Sequence, residues 1–144
     1  RIGINGRMDT IQCAIVLSKL DIFKKEIKLR NNVGKQYNDM FDKINVKRVH
    51  QKNEIFSVFA QYSIFINQRD DLRKKLSKLG IPTQVYYPKP LNEYKIFRQY
   101  KNSKFATPVS KKISKTILSV PMSPYLSKNL QKYIVDNISN IINN

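Results

Sequence analysis

One cysteine, one histidine and four glycines are all that this 144-residue chain holds of three residue types on which much protein chemistry depends. A single thiol excludes a disulfide framework and any thiolate metal cluster, and it suits a reducing cytosol. With only Cys13 and His50 available, an ordinary zinc site cannot be assembled. Gly3, Gly6, Gly34 and Gly80 do not approximate the G-x-G-x-x-G spacing that cradles a dinucleotide phosphate. Long apolar runs are also missing. The best candidate, Ile55 to Ile66, is interrupted by Ser57, Gln61 and Ser63, and it falls short of the roughly 18–20 residues of a membrane span. No signal peptide is visible, because Arg1 is followed by a mixed loop sequence rather than an apolar stretch. Acidic residues are few, and Asp70 with Asp71 suits a helix N-terminus better than a catalytic carboxylate pair.

What the chain does have is basic charge and enough apolar residues for a core. Lys and Arg number 27 against 10 Asp and Glu, a formal charge of +17, while 41% of positions are hydrophobic. That is material for one domain, or one piece of a larger one. Such a charge suggests nucleic acid or an anionic surface as a partner. The composition argues against it: Lys, Asn and Ile fill 52 of 144 positions, and these types share A- and T-rich codons. Lysines outnumber arginines 20 to 7 and no lysine run exceeds two, whereas nucleic-acid readers lean on clustered Arg. A solvated, composition-driven surface is expected, with a basic polyanion-binding module as the rival. The chain opens on Arg1 without Met, as a piece of a longer protein cut within a loop would.

The periodicity predicts an α+β domain. Asp9 and Gln12 form a capping-box pair ahead of a mostly apolar helix carrying Met8, Ile11, Ile15 and Ile22. So little polar face predicts burial. From Asp21 the pattern is amphipathic through Ile44, so two helices or one kinked helix are expected over 9–44. Alternation from Val58 to Ile66 predicts a strand. Asn67 then caps a helix with a Leu72, Leu76 and Leu79 stripe, closed by Gly80. Thr83–Tyr87 reads as extended, Leu91–Tyr100 as a short helix, and Thr107-Pro108 as an N-cap with Pro at N1. A short strand at Leu118–Pro121 and a helix capped by Ser127 finish the order. This suits a small antiparallel sheet covered by helices.

His50 sits in a polar turn and reads as a surface residue; Cys13 reads as a buried, inert thiol. Two segments fit a plain scaffold less well. In Gly3-Ile4-Asn5-Gly6-Arg7, an amide and a guanidinium stand two apart before a helix start, able to face an anion. In Tyr86-Tyr87-Pro88-Lys89-Pro90, two phenols end a strand in a rigid frame. Pattern alone favours a structural role for each segment, Arg7 as an ion-pair partner and the tyrosines as a core rim.

Taken together, these strings resemble a known family. Gly3 through Ala14, Gln61-Tyr62, Arg69-Asp70, Leu79-Gly-Ile-Pro82, Tyr86 through Leu91 and Leu118 through Leu126 stand in register along nearly the whole chain. They resemble the C-terminal part of the DegT/DnrJ/EryC1/StrS aminotransferases, pyridoxal 5'-phosphate (PLP) enzymes that aminate nucleotide-linked keto sugars. Asp21-Ile-Phe and Ser57 through Phe65 look closest to enzymes acting on a UDP-N-acetyl-3-keto-glucuronate for surface polysaccharide synthesis. The resemblance implies fold type I, with residues 1–45 as a loop and interdomain helices leading to a missing large domain. Residues 46–144 would then be the small C-terminal α+β domain. It further implies a cytoplasmic homodimer with active sites at the subunit interface, an amino donor such as glutamate, and no membrane or nucleic-acid partner. By position Asn5 would reach the neighbouring subunit's cofactor phosphate, Arg7 would face cofactor or substrate, and Tyr86 and Tyr87 would line the sugar-nucleotide pocket. The family commonly has His where Tyr86 stands, and often where Asn92 stands; a tyrosine donates a hydrogen bond but is no neutral-pH base. No lysine here stands in the family's Schiff-base context, so the chain alone is expected to be inert. It is then a fragment, a remnant, or a partner completing a separately encoded large domain.

Overall fold

The computed structural model describes residues 6–52, 54–100 and 107–143. Its element order is helix α1 (Thr10–Lys43), strand β1 (Tyr62–Phe65), helix α2 (Arg69–Lys78), two 3-10 turns (Leu91–Glu93 and Lys95–Tyr100), helix α3 (Pro108–Thr116), strand β2 (Ile117–Val120) and helix α4 (Lys128–Asn143). The α+β expectation holds.

The stretch expected as two helices or a kinked one is a single 34-residue helix, about 51 Å long at 1.5 Å per residue. No proline or glycine pair interrupts it, and the Asp9 carboxylate accepts from the Gln12 N–H at 2.8 Å to start it. Its two halves differ. Val33, Gly34, Tyr37 and Phe41, at helical spacing, are buried. Met8, Ile11, Leu17 and Phe23 are exposed, Ile11 by 74%. The apolar first half is exposed within this chain, as expected of helices over 9–44 that lack a large domain's cover, because the domain's own elements reach only the second half.

β1 and β2 pair antiparallel, Tyr62 opposite Val120 and Phe65 opposite Ile117. Single bridges flank them, Arg48 to Ile64 on one side and Gln84 to Ser119 on the other. The expected strand from Val58 begins only at Tyr62, because Phe59 adopts a left-handed φ of 44°, a conformation that breaks extended pairing and costs a bulky residue on the order of 1–3 kcal/mol. Three other expectations also change. Gln68, itself left-handed at φ 56°, rather than Asn67 precedes α2. The Leu91–Tyr100 helix is two 3-10 turns parted by an extended Tyr94. Thr107 makes no cap bond to α3; its hydroxyl donates to Asn92 Oδ1 at 3.4 Å instead. Ser127 Oγ does accept from the Leu130 N–H, at 3.2 Å.

The core centres on aromatic rings from α1 and β1. Tyr37 and Tyr62 approach to 4.9 Å between centroids, and Phe41 lies 5.8 Å from Tyr62. Their hydroxyls stay satisfied: Tyr37 donates to the Pro121 carbonyl at 3.0 Å and Tyr62 to Asn38 Oδ1 at 2.8 Å. Ile134 and Ile138 of α4 close this core, and the buried Gln131 donates to the Val33 carbonyl at 2.9 Å. Burial pushes both phenols well above the usual tyrosine range. A phenol whose folded value is raised favours the neutral form, so its stabilisation is complete below about pH 10 and lost as pH rises further. Alkaline difference absorbance should accordingly show two of the eight tyrosines ionising only together with unfolding. Eight tyrosines titrating in one smooth step in the folded chain would contradict this packing.

Candidate functional site: a neutral cleft beside the sheet edge

Where the Gln84 bridge joins β2, the chain runs on through Val85, Tyr86 and Tyr87 before Pro88 and Pro90 turn it into the first 3-10 turn. Pro90 is buried and fixes this turn, leaving both phenols outside the core, Tyr86 49% and Tyr87 66% exposed. They overhang a cleft of about 650 Å³. Its polar side is Gln61, Ser63, Gln84 and Ser119; Ile113 and Ile117 supply apolar wall. Ser63 and Ser119 face each other across the strand pair with their hydroxyls 2.9 Å apart. A second recess of about 260 Å³ adjoins it, and Gln61, Gln84, Tyr86 and Ser119 line both.

Among the described residues the cleft's lining is close to neutral: Lys89 is the one charged residue there, and its ammonium sits 4.6 Å from the Tyr94 ring centre. Hydroxyls and amides with apolar walls suit an uncharged, hydrogen-bonding ligand surface rather than a bare phosphate.

The residues singled out by pattern and resemblance do not all converge here. Tyr86, Tyr87 and Asn92 line the cleft. Asn5 lies outside the described residues. Arg7 is exposed just ahead of α1. Arg7 is not among the residues that line the cleft or the adjoining recess. His50 is exposed, as expected. Cys13 is only half-buried, a correction to its expected burial, since the first half of α1 has little around it. Gln84 lies in no motif, and Ser63 and Ser119, although inside the family-like strings, take no site role from the sequence; only their alternation along extended segments marks a common face.

Every described lysine is exposed, so none lies in the desolvated setting in which a lysine becomes a Schiff-base nucleophile. Among the described residues no group of His, Cys, Asp and Glu could hold a metal ion. No helix of the described residues is long and apolar enough to cross a membrane.

This architecture is that of an aminotransferase's α+β part. Residues 1–139 match the DegT/DnrJ/EryC1/StrS aminotransferase family, and the chain belongs to that family, which is PLP-dependent. Similar proteins include the UDP-2-acetamido-2-deoxy-3-oxo-D-glucuronate aminotransferase of Pseudomonas aeruginosa, 35% identical over 97% of this chain. The pleiotropic regulatory protein of Geobacillus stearothermophilus is 31% identical over 96% of the chain. A DegT DnrJ EryC1 StrS aminotransferase from Brucella abortus superposes with a TM-score of 0.89 over 98% of the chain at 39% identity. The chain spans 38% of the length of each of these three proteins, their C-terminal part.

Proposed function

We propose that this chain is the C-terminal portion of a PLP-dependent enzyme that moves an amino group, from glutamate, to a nucleotide-linked keto sugar. The keto sugar is a UDP-N-acetyl-3-keto-glucuronate, and the reaction serves surface polysaccharide synthesis in the cytoplasm. The observation that carries this reading is the 35% identity with the Pseudomonas enzyme, sustained over 97% of the chain. The neutral cleft under Tyr86 and Tyr87 supports it, since phenols and amides match sugar hydroxyls and an acetamido group.

Arg7 does not line that cleft, which fits a homodimer. In it Arg7, with Asn5, serves the neighbouring subunit's site at the interface, while residues 1–45 join the α+β domain of 46–144 to the large domain. A cation and an amide at Arg7 and Asn5 suit the dianionic phosphate of PLP, which supplies the electron sink for amino transfer when bound. The residues of this chain bind and orient. Tyr86 and Tyr87 donate hydrogen bonds to the sugar nucleotide, and neither abstracts the proton, because a phenol is not a base near neutral pH.

The test is the full-length enzyme with its large domain, against this chain alone. The full-length protein should show the cofactor's visible absorbance and aminate the UDP keto sugar with glutamate; the chain alone should do neither. Tyr87→Phe should raise KM for the keto sugar about tenfold, the loss of a good hydrogen bond to substrate. A full-length protein that holds the cofactor but aminates no nucleotide-linked keto sugar would end this reading.

A further inference from the structure

Three non-glycine residues among those described are left-handed, and two of them, Asn45 and Gln68, adjoin helix ends. The third is Phe59, a bulky aromatic in a loop, where such a backbone is a genuine outlier. The fold holds it from several sides. Arg30 Nη1 donates to the Phe59 carbonyl at 3.2 Å, and the Phe59 N–H donates to Ser57 Oγ at 3.1 Å. Asn31 Nδ2 anchors the Ser57 carbonyl at 2.9 Å. The Phe59 ring lies so close to Gly34 that a Cβ there would sit 2.7 Å from three ring atoms, and it stacks on Tyr62 at 6.1 Å.

Two residues further on is Gln61. The turn ends β1 at Tyr62 and leaves Gln61 outside the ladder, exposed, in both the 650 Å³ cleft and the 260 Å³ recess. Its amide makes no hydrogen bond among the described residues, although Ser63 and Ser119 beside it are paired to each other. Backbone strain that a fold over-determines in this way collects at functional sites.

We propose that Gln61 is a substrate-contacting residue of the Tyr86 cleft, and that the turn at Phe59 is the positioning device that presents it. This rests on the aminotransferase reading above. An amide offers both donor and acceptor, and the one cation among the cleft's described lining residues, Lys89, is engaged over Tyr94. Gln61 therefore recognises a neutral group of the sugar, a hydroxyl or an acetamido, rather than a phosphate.

The experiment is steady-state kinetics of the full-length enzyme with a nucleotide-linked keto sugar and glutamate. Gln61→Ala should raise KM for the keto sugar about tenfold, with kcat and the KM for glutamate within about twofold of the parent. Gly34→Ala, which must displace the Phe59 ring, should raise the same KM, and adding Gln61→Ala should raise it no further. Arg30→Gln serves as the second, milder variant should Gly34→Ala not fold, with a rise of about threefold that also vanishes in the Gln61→Ala background. A parental KM for Gln61→Ala overturns the contact. Gly34 and Arg30 effects that multiply with Gln61→Ala overturn the positioning role. If the parent enzyme aminates no keto sugar nucleotide, the aminotransferase reading has failed and not this placement alone.

Discussion

Replacing Arg69 with methionine is expected to destabilise the domain by about 3 kcal/mol, since one buried and one part-buried carbonyl lose their donor at roughly 1–3 kcal/mol each. Arg69 opens α2 yet is only 6% exposed. Its Nη1 donates to the Ser114 carbonyl at 3.1 Å and to the Ile117 carbonyl at 2.9 Å. The first of these is a carbonyl at the C-terminal end of α3, which has no helical partner of its own, and the second belongs to β2. One guanidinium thus joins α2 to both elements that wall the cleft. Its contact with Asp70, 2.7 Å from Nε, contributes little because Asp70 is 71% exposed. Asp70→Asn should therefore change stability by less than about 0.5 kcal/mol. Arg69→Lys should recover only part of the loss, because an ammonium lacks the planar fork that spans two acceptors. Urea unfolding of the three variants measures this; a near-neutral Arg69→Met would show that the two carbonyls are otherwise satisfied.

The second large effect concerns the exposed face of α1. Met8, just ahead of α1, and Ile11, Ile15, Leu17, Leu20 and Phe23 within it are exposed large apolar side chains set around much of its first half. Patches of this kind drive association. Half-burying each such side chain is worth about 1 kcal/mol, enough across two copies to outweigh the cost of association in the micromolar range. The 144-residue chain by itself should therefore self-associate in sedimentation velocity at tens of micromolar, an order of magnitude set by that balance. Ile11→Gln, Ile15→Gln and Leu20→Gln together should return it to a monomer with unchanged core stability, because none of the three touches the buried half of the helix. A monomeric parent chain would contradict the expectation.

Much of this protein is legible from local pattern, and the physical reasons are particular. Asp9 and Ser127 cap helices because their side chains answer N–H groups three residues away, a contact the sequence spells out directly. Leu72, Leu76, Ile134 and Ile138 are buried because a 3.6-residue period leaves no other face for them. The Tyr86–Leu91 string and its partners in register announced the family, and the proline frame kept both phenols outside the core.

What pattern could not supply depends on residues distant in the chain. Alternation over 58–66 predicts one long strand, but Arg30, Asn31 and Gly34 on α1 hold Phe59 left-handed and shorten it. The apolar first half of α1 reads as buried, yet burial depends on what lies against it, and the described residues place little there. Arg69 looks like a surface charge at a helix start until α3 and β2 bring their carbonyls to it from 45 and 48 residues away. By itself the sequence determined the capping of α1 and α4, because each is carried by neighbours within a few positions, and it announced the class through strings in register along the chain. The tertiary structure alone decided that Gln61 lines the cleft and what Arg69 holds, because each follows from the meeting of segments that share no local signal.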